Sequence, residues 1–550
     1  MNSIKRLPIL LLIVAAVFSF GFFTGARDSV YFKINKSLEL FGAMFREISA
    51  NYVDDLDPED FIRDGMKDML DNLDPYTVLL DESSSEDIDM LSTGVYTGFG
   101  ISVGTRDSML TITALYDGYS AQRNGVRVGD HILQIDTAIV LREFSKSLRP
   151  YTRGTPGSKA VVKILRDGIS DTLTFTLTRE EIKIQNLPYY GIVQDSIGYI
   201  KLDRFSRQSG EDVKMAIREL RNRADLAGLI LDVRDNPGGL LDAATSIAEI
   251  FAPKGSKIVS TKGKAASEER VYTNPGRPSE PDIRLAVLIN GRSASASEVL
   301  AGAIQDLDRG VILGERSFGK GLVQNVFSLP QNSSIKITTA KYYTPSGRCI
   351  QKVDFTRKRE GKTATTDSGR IFYTAGNRPV RELHGIEPDS TISDKDYPDI
   401  VQQLLEQDII FGFVSEFTSK FTTLPPKFSV TPDVLAQFEQ YTQRKNFTPQ
   451  NSVLQKLREA KQIASLDKSN TSLVTKLESM EKSLQKEQKI LAPANAKVLT
   501  SLIENEVYSR FLLGKQQAER EVQTDRLVQS AAHILVSDSY EVKLAPVGVR

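Results

Sequence analysis

Two short segments concentrate the residue types that could do chemistry. One is Asp232-Val-Arg-Asp-Asn-Pro-Gly-Gly239; the other is Asn290-Gly-Arg-Ser-Ala-Ser-Ala-Ser-Glu298. Each follows a continuous apolar run, Gly228 to Val233 and Arg284 to Ile289, and each precedes a helical pattern. They therefore read as strand-loop-helix junctions, and ligands of an open α/β sheet gather at the carboxyl ends of its strands. Glycine lets a backbone approach a ligand closely. A helix N-terminus adds unpaired N–H donors and a dipole that favours negative charge. Gly238, Gly239 and Ala296 are thus the candidate donors of an oxyanion hole. The serines of the second junction are candidate nucleophiles, and any of them would serve equally well as a helix N-cap. Residue type and spacing do not choose among Ser293, Ser295 and Ser297.

A serine nucleophile needs a base. The chain has three histidines, His131, His384 and His533, and none stands in a supporting motif. Lysine is the other option, since serine-lysine pairs are a variant of the triad logic. Lys320 lies between Gly319 and Gly321 and is followed by apolar residues. Burial disfavours an ammonium, so a desolvated lysine there would be a competent base. Gln324 is four positions on, the same side in helix or strand, and its amide would orient the lysine. A phosphate-binding loop would require Ser or Thr after the lysine and a fuller glycine pattern.

These pieces need elements to carry them. At roughly 100–200 residues per domain, 550 residues make three to five domains. Lys+Arg and Asp+Glu both total 70, so the basic excess of a nucleic-acid binder is missing. Cys349 is the single cysteine, which rules out an intramolecular disulfide and a cysteine-rich metal site. Lys5 and Arg6 precede an apolar run from Leu7 to Gly25, the pattern of an export signal. Its length is near the ~20 residues that span a bilayer. Thr24-Gly25-Ala26 is a weak cleavage site, so residues 1–26 read as an uncleaved signal anchor in preference to a cleaved signal peptide, with the basic end cytoplasmic.

Residues 27–85 read as a helical region, with apolar positions at Leu38, Phe41, Phe45 and Ile48 and a turn at Asp74-Pro75-Tyr76. Residues 86–182 hold short strand-like runs separated by turn signals such as Asp167-Gly168, a small mostly-β domain. Residues 183–400 alternate strand, loop and helix, an α/β core, with a polar surface insertion at about 351–382. Residues 401–550 form a helical extension, where Leu473, Leu477, Met480 and Leu484 make a packing stripe.

The combination resembles the carboxyl-terminal processing peptidases, or tail-specific proteases. The resemblance rests on Ser293-Ala-Ser-Ala-Ser-Glu298, Gln305-Asp306, Gly314-Glu315, Phe318-Gly-Lys-Gly-Leu-Val-Gln324, Thr339-Ala-Lys-Tyr-Tyr-Thr-Pro-Ser-Gly347, Gly385-Ile386 with Pro388-Asp389, and Asn72-Leu-Asp-Pro-Tyr76. It covers roughly residues 35–400. It implies Ser295 as nucleophile, Lys320 as base and Gln324 as support, on a core of crotonase- or ClpP-like strand-helix repeats, with no cofactor and no metal. The 86–182 domain resembles a PDZ domain. Gly98-Phe-Gly-Ile101 matches its carboxylate-binding loop, and Gly125-Val-Arg-Val-Gly-Asp-His-Ile-Leu133 matches a later segment. Such a domain adds an extended peptide to a sheet edge and holds its carboxylate on backbone N–H groups. Phe99, Gly100 and Ile101 would then read the C-terminal tails of protein substrates in an apolar pocket.

The expectation is a peptidase of the bacterial cell envelope, on the periplasmic side, touching the membrane through its N-terminal segment and acting on envelope proteins. Residues 401–550 would offer a surface to an adaptor or a second copy. The competing reading is a catalytically inactive PDZ adaptor on the same scaffold, holding protein C-termini.

Overall fold

The computed structural model describes residues 30–80, 94–106, 108–140, 149–331, 333–361, 369–382, 384–393, 397–425, 427–450, 452–466, 470–487, 489–512 and 514–546. The 1–26 segment read as a signal anchor lies outside them. Among the described residues no helix is long and apolar enough to cross a membrane.

The chain divides into two units, ending and beginning at Leu79 and Leu80. The first holds helix α1, residues 30–51, and α2, Pro58–Asp71. Pro58 opens α2, and the Asp57 side chain caps it by accepting from the amides of Glu59 and Asp60. Phe45 stacks on Phe61 with ring centroids 6.1 Å apart. The expected apolar stripe is only half used, because Leu38 and Phe41 stay exposed. In the Asp74-Pro75-Tyr76 turn, the Asp74 carboxylate accepts from the amides of Tyr76 and Thr77.

The second unit begins with the small β domain. Its entry and exit strands, β1 (Val95–Gly98) and a returning strand over Glu180–Lys183, pair antiparallel, so the chain leaves and rejoins at one place. Between them, β2 (Ile101–Arg106), β3 (Met109–Leu115), β4 (His131–Ile135), β5 (Lys159–Leu165) and β6 (Leu173–Thr178) form a sheet in that order, with β2 at an edge. The core of this domain contains Phe99, Ile112, Ile132, Ile135, Val162, Ile164 and Leu177. The exit strand is β7.

The α/β core follows. Strands β8 (Tyr189–Val193) and β9 (Ile197–Lys201) are antiparallel. From β9 the sheet runs parallel through β10 (Gly228–Asp232), with α3 (Ser209–Arg223) as the crossover. Helix α4 is Leu241–Glu249, and β11 (Lys257–Gly263) leaves for a second sheet. Strand β12 (Arg284–Ile289), helix α5 (Ala296–Asp306) and β13 (Val311–Gly314) complete the repeat. Strands β14 (Leu322–Ser328) and β15 (Ser334–Tyr343) form an antiparallel pair, and β15 also pairs with β11.

Strand periodicity sorts the core residues between two faces. Leu229, Leu231, Leu285, Val287, Ile289 and Ile312 pack in one cluster with Ile217, Leu220, Ile247, Leu300 and Ile304 of α3 to α5. Ile230, Ala286, Leu288, Val311 and Leu313 pack in another, and its cover comes from the C-terminal region: Leu527, Val528, Ala531, Ala532 and Leu535. Helix α5 is buried at all eleven positions, which its Ala, Ser and Gly content allows.

The C-terminal helices form their own core around α6 (Ile409–Thr418) and α7 (Pro493–Phe511), with Phe413, Phe438, Tyr441, Leu499 and Ile503 inside. Helix α8 (Arg526–Val536) is the element that covers the sheet. In the helix Thr471–Glu487 the expected stripe splits: Leu477 and Leu484 are half-buried, whereas Leu473 and Met480 are exposed. The polar 351–382 segment is not wholly a surface excursion. Arg378 is buried and reaches Asp308 and Asp389 at 2.6 and 2.5 Å, and Gln351 is buried as well. Charge there is paired inside the fold, so polarity did not mean exposure.

Candidate active site

The three serines, equivalent in sequence, have different surroundings. Ser293 Oγ donates to the Val233 carbonyl at 2.8 Å, and Ser297 Oγ donates to the Asn236 carbonyl at 2.9 Å. Both are fully buried and tie the second junction to the first. Ser295 is the N-cap of α5, with φ 57° and ψ −113°. A positive φ is uncommon for a residue with a Cβ, and such strain concentrates at functional positions.

Glu298 brings Ser295 and Lys320 together. Its carboxylate is completely buried one turn into α5. Oε2 accepts from the backbone amides of Ser295 at 2.9 Å and Lys320 at 2.8 Å. Oε1 accepts from Ser317 Oγ at 2.5 Å and the Gly319 amide at 2.7 Å. Two amide nitrogens on one oxygen can be no more than about 6 Å apart. Burial drives the Glu298 pKa up, and the donations from Ser317 and from the Lys320, Ser295 and Gly319 amides oppose that rise. All four contacts use the group as an acceptor, as an ionised carboxylate requires, and its place at the start of a helix favours the negative form.

The Lys320 loop is held from its other side too. The Gly321 amide donates to Gln351 Oε1 at 2.7 Å, and the Lys352 amide donates to the Gly319 carbonyl at 3.0 Å. The Ser317 amide donates to the Ile386 carbonyl at 3.0 Å, and the Ile386 amide donates to Ser317 Oγ at 2.7 Å. The Gly385-Ile386 motif, more than sixty residues beyond Lys320, is therefore part of the loop's seat.

The first junction lies against the second. At Gly238, φ is 105°, and a Cβ added there would meet the Ala294 carbonyl oxygen at 2.7 Å, Ser295 Cβ at 2.9 Å and the Ala296 nitrogen at 3.0 Å. Of the three expected oxyanion donors, the Gly238 amide is turned to Asn236 Oδ1 at 2.9 Å. The Asx geometry of Asn236 claims it first. The amides of Gly239 and Ala296 have no hydrogen-bond acceptor among the described residues.

Beneath this loop sits a charged cluster. Asp232 is completely buried and accepts from Tyr199 Oη at 2.7 Å, the Arg234 amide at 2.9 Å and the Arg234 guanidinium at 2.6 Å. Lys201 Nζ lies 3.5 Å from Asp232 and donates to the Arg234 carbonyl at 2.6 Å. Burial pushes the Asp232 pKa up, but Lys201 and Arg234 outweigh it and hold the group well below the usual carboxylate range. Arg234 also bonds Asp525 at 2.8 Å, the residue whose carboxylate caps α8.

Gln324 and the Gly98-Phe99-Gly100-Ile101 turn have these surroundings. Gln324 is on β14 with its amide 3.4 Å from Thr338 Oγ1. Lys320 precedes the strand, and the β14–β15 register shifts between Val323 and Gln324. Phe99 is 1% exposed and belongs to the small domain's core, with the Arg179 guanidinium 5.1 Å from its ring centroid. Ile101 is half-buried on the edge strand β2. Gly100 has φ 79°, and a Cβ there would strike Tyr119 Cβ at 2.4 Å. The carbonyls of Phe99 and Gly100 accept from the amides of Ala121 and Tyr116 at 3.0 and 2.9 Å.

Glu298, Asp232, Arg234, Asn236, Ser317 and Gln351 tie together the two junctions and the Lys320 loop, and sequence reasoning gave none of them that part. One signal was legible: Ser295-Ala-Ser-Glu298 has the S-x-x-E spacing of a capping box. The others depend on contacts between distant segments.

Residues 196–358 match the model of Peptidase family S41, and residues 400–535 match that of the probable PDZ-protease C-terminal helical domain. The carboxy-terminal-processing protease of Bartonella bacilliformis is 35% identical over 324 residues, covering 58% of this chain and 74% of that protein. The carboxyl-terminal-processing protease of Synechocystis sp. is 36% identical over 297 residues, covering 52% and 68%. A solved structure, the photosystem II D1 C-terminal processing protease, is 26% identical with a TM-score of 0.38, covering 66% of this chain and 94% of that one. With its junctions, its glycine-flanked lysine and this similarity, the chain belongs to the carboxy-terminal-processing proteases of peptidase family S41 and is a serine-type peptidase.

Proposed function

We propose that this peptidase is exported to the bacterial cell envelope, reads the C-terminal tails of protein substrates on a PDZ-like domain, and cleaves them with Ser295 as nucleophile and Lys320 as base. The observation that carries the reading is the Glu298 carboxylate holding the backbones of both residues on one oxygen. In the acylation step Lys320 Nζ takes the proton of Ser295 Oγ, and Oγ bonds to the scissile carbonyl carbon. The carbonyl electron pair moves to its oxygen, where the amides of Gly239 and Ala296 receive the charge. The Lys320 ammonium then protonates the leaving amine, and water releases the acyl group with Lys320 again as base.

The edge position of β2 supports tail reading, since an extended peptide can add to it and place its carboxylate at the Gly98-Phe99-Gly100-Ile101 turn. The apolar N-terminal run supports export. No metal or cofactor enters the scheme.

The test is cleavage of a substrate with an apolar C-terminal tail by purified Ser295→Ala and Lys320→Ala. Each is expected to lose turnover while still binding the tail. Wild-type cleavage by either variant would overturn the dyad. Equal cleavage of a substrate whose terminal carboxylate is amidated would overturn tail reading.

A further inference from the structure

Helix α8 crosses the catalytic sheet from one end of its strands to the other. Its last turn lies at their amino ends, where the guanidinium of Arg284, the first residue of β12, donates to the Leu535 carbonyl at 2.9 Å. Its first turn lies at their carboxyl ends, where a Cβ added to Gly314, the last residue of β13, would meet Leu527 Cδ2 at 3.3 Å. At that end the Asp525 carboxylate has two tasks. Oδ1 accepts from the Val528 amide at 2.9 Å and caps the helix. Oδ2 accepts from Arg234 Nη2 at 2.8 Å. Capping alone needs no charge, since Ser or Asn serves as well.

Arg234 is where the Gly238-Gly239 loop departs from β10. Its Nε lies 3.0 Å from both oxygens of Asp232, and its Nη2 reaches Asp232 Oδ2 at 2.6 Å. The guanidinium is thus gripped between a carboxylate of β10 and a carboxylate of α8. From there the chain turns through Asp235, at φ 64°, to Asn236. The Asn236 carbonyl accepts from the Ala294 amide at 3.1 Å and from Ser297 Oγ at 2.9 Å, on either side of Ser295. Asn236 Oδ1 takes the Gly238 amide, and Gly239 follows. A continuous run of bonds therefore leads from the start of α8 to the loop beside the nucleophile.

We propose that Asp525 is a positioning residue for the peptidase reaction: its bond to Arg234 fixes the start of the 235–239 loop and, through it, the place of the Gly239 amide. The inference rests on the reading of Ser295 as nucleophile and Gly239 as an oxyanion donor. A planar guanidinium held by two carboxylates is fixed in position and in the direction of its plane. Held by Asp232 alone, it can swing about that contact, and the loop loses one of its anchors. A well-placed oxyanion donor is worth about 100- to 1,000-fold in kcat. A displacement of about 1 Å costs roughly 100-fold. The loop keeps its bonds to Ala294 and Ser297, so the shift is smaller and the loss is on the order of 10-fold.

The experiment compares wild type, Asp525→Ser, Arg234→Gln, the double variant and Ser295→Ala for cleavage of a tailed peptide and for urea unfolding. Serine keeps a helix cap, and its single oxygen is used by that cap. In Asp525→Ser, kcat is expected to fall on the order of 10-fold. KM and the unfolding midpoint should stay near wild type, because the cap remains and Arg234 keeps Asp232 as a partner. The double variant should match Arg234→Gln, since Asp525 acts through that residue. Wild-type kcat in Asp525→Ser, with Ser295→Ala inactive, would overturn the role of Asp525 alone. Independent, multiplying losses of kcat in the double variant would overturn the route through Arg234. Full activity in Ser295→Ala would overturn the nucleophile instead. If Asp525→Ser unfolds early, Leu535→Ala is the control, because it loosens the far end of α8 without touching Asp525. An equal loss of kcat there would overturn the proposal in favour of a general loosening of the helix.

Discussion

Replacing Glu298 by Gln tests the latch that joins the two halves of the site. The carboxylate takes four donors at 2.5 to 2.9 Å, two on each oxygen, in full burial. Gln has the same shape but one carbonyl oxygen and one NH2 group. If the oxygen stays with Ser317 and Gly319, the NH2 faces the amides of Ser295 and Lys320, donor against donor. Each buried amide left unpaired costs about 1–3 kcal/mol, so Glu298→Gln should lose about 2–6 kcal/mol of stability. The loop can relieve part of that by moving away, which displaces Lys320 from Ser295. A displacement of about 1 Å is worth roughly 100-fold in rate. Urea unfolding and steady-state cleavage of a tailed peptide read the two effects separately. The expected result is a lower unfolding midpoint together with a kcat reduced by about two orders of magnitude and KM little changed. Ser317→Ala removes one donor and leaves the three amides in place, so its effect on kcat should be smaller. A Glu298→Gln enzyme with wild-type kcat and stability would refute the reasoning, because the carboxylate would then not be what sets the distance between the two residues.

Three further outcomes are expected. Gly238→Ala places a methyl 2.7 to 3.0 Å from Ala294, Ser295 and Ala296 at φ 105°; a stability loss of at least about 1 kcal/mol and a clear drop in kcat should follow, read by denaturant unfolding and peptide cleavage. Leu535→Ala empties a fully buried position on the α8 face of the catalytic sheet; it should cost about 2–5 kcal/mol in urea unfolding, and an unchanged midpoint would mean that α8 is not part of the catalytic fold. Asp232, held well below the ordinary carboxylate range by Lys201 and Arg234 despite burial, contributes stability that is present above its unfolded pKa of about 4 and is lost as pH falls toward the lower folded value. The unfolding free energy of the wild type should therefore decline below about pH 4, and that acid limb should be shallower in Asp232→Asn, which should also start lower at pH 7 because Arg234 loses a buried partner.

Much of the site was legible because its chemistry is local in the chain. Strand-loop-helix junctions announce themselves by a β-branched and aliphatic run, a Gly or Ser loop and a helical pattern, all within about twenty residues. Gly238 and Ala296 could be placed in the loops of those junctions from those features alone, and in the structure Gly238 lies against Ser295 and Ala296. Phe99 shows the opposite case. A Gly-Phe-Gly-Ile turn reads the same whether the ring lines a groove or fills a core, and only the packing of Ile112, Ile135 and Leu177 around it decides for the core. The reasoning that linked Gln324 to Lys320 by a four-residue period was weaker than it looked, since side-chain period holds inside an element and Lys320 lies outside β14.

By itself, then, the sequence determined the α/β alternation, the two junctions, the glycine-flanked lysine and the scarcity of histidines that pointed to it. Those properties follow from residue type and spacing over short stretches, where backbone propensity and side-chain period act. The tertiary structure decided which serine hydroxyls are consumed by backbone carbonyls, which glycine amide is already taken, and that a single buried carboxylate spans Ser295 and Lys320. It also decided that α8, more than two hundred residues after β13, completes the second face of the sheet. These outcomes depend on desolvation and hydrogen-bond satisfaction between segments far apart in the chain, and such terms have no value until the segments meet.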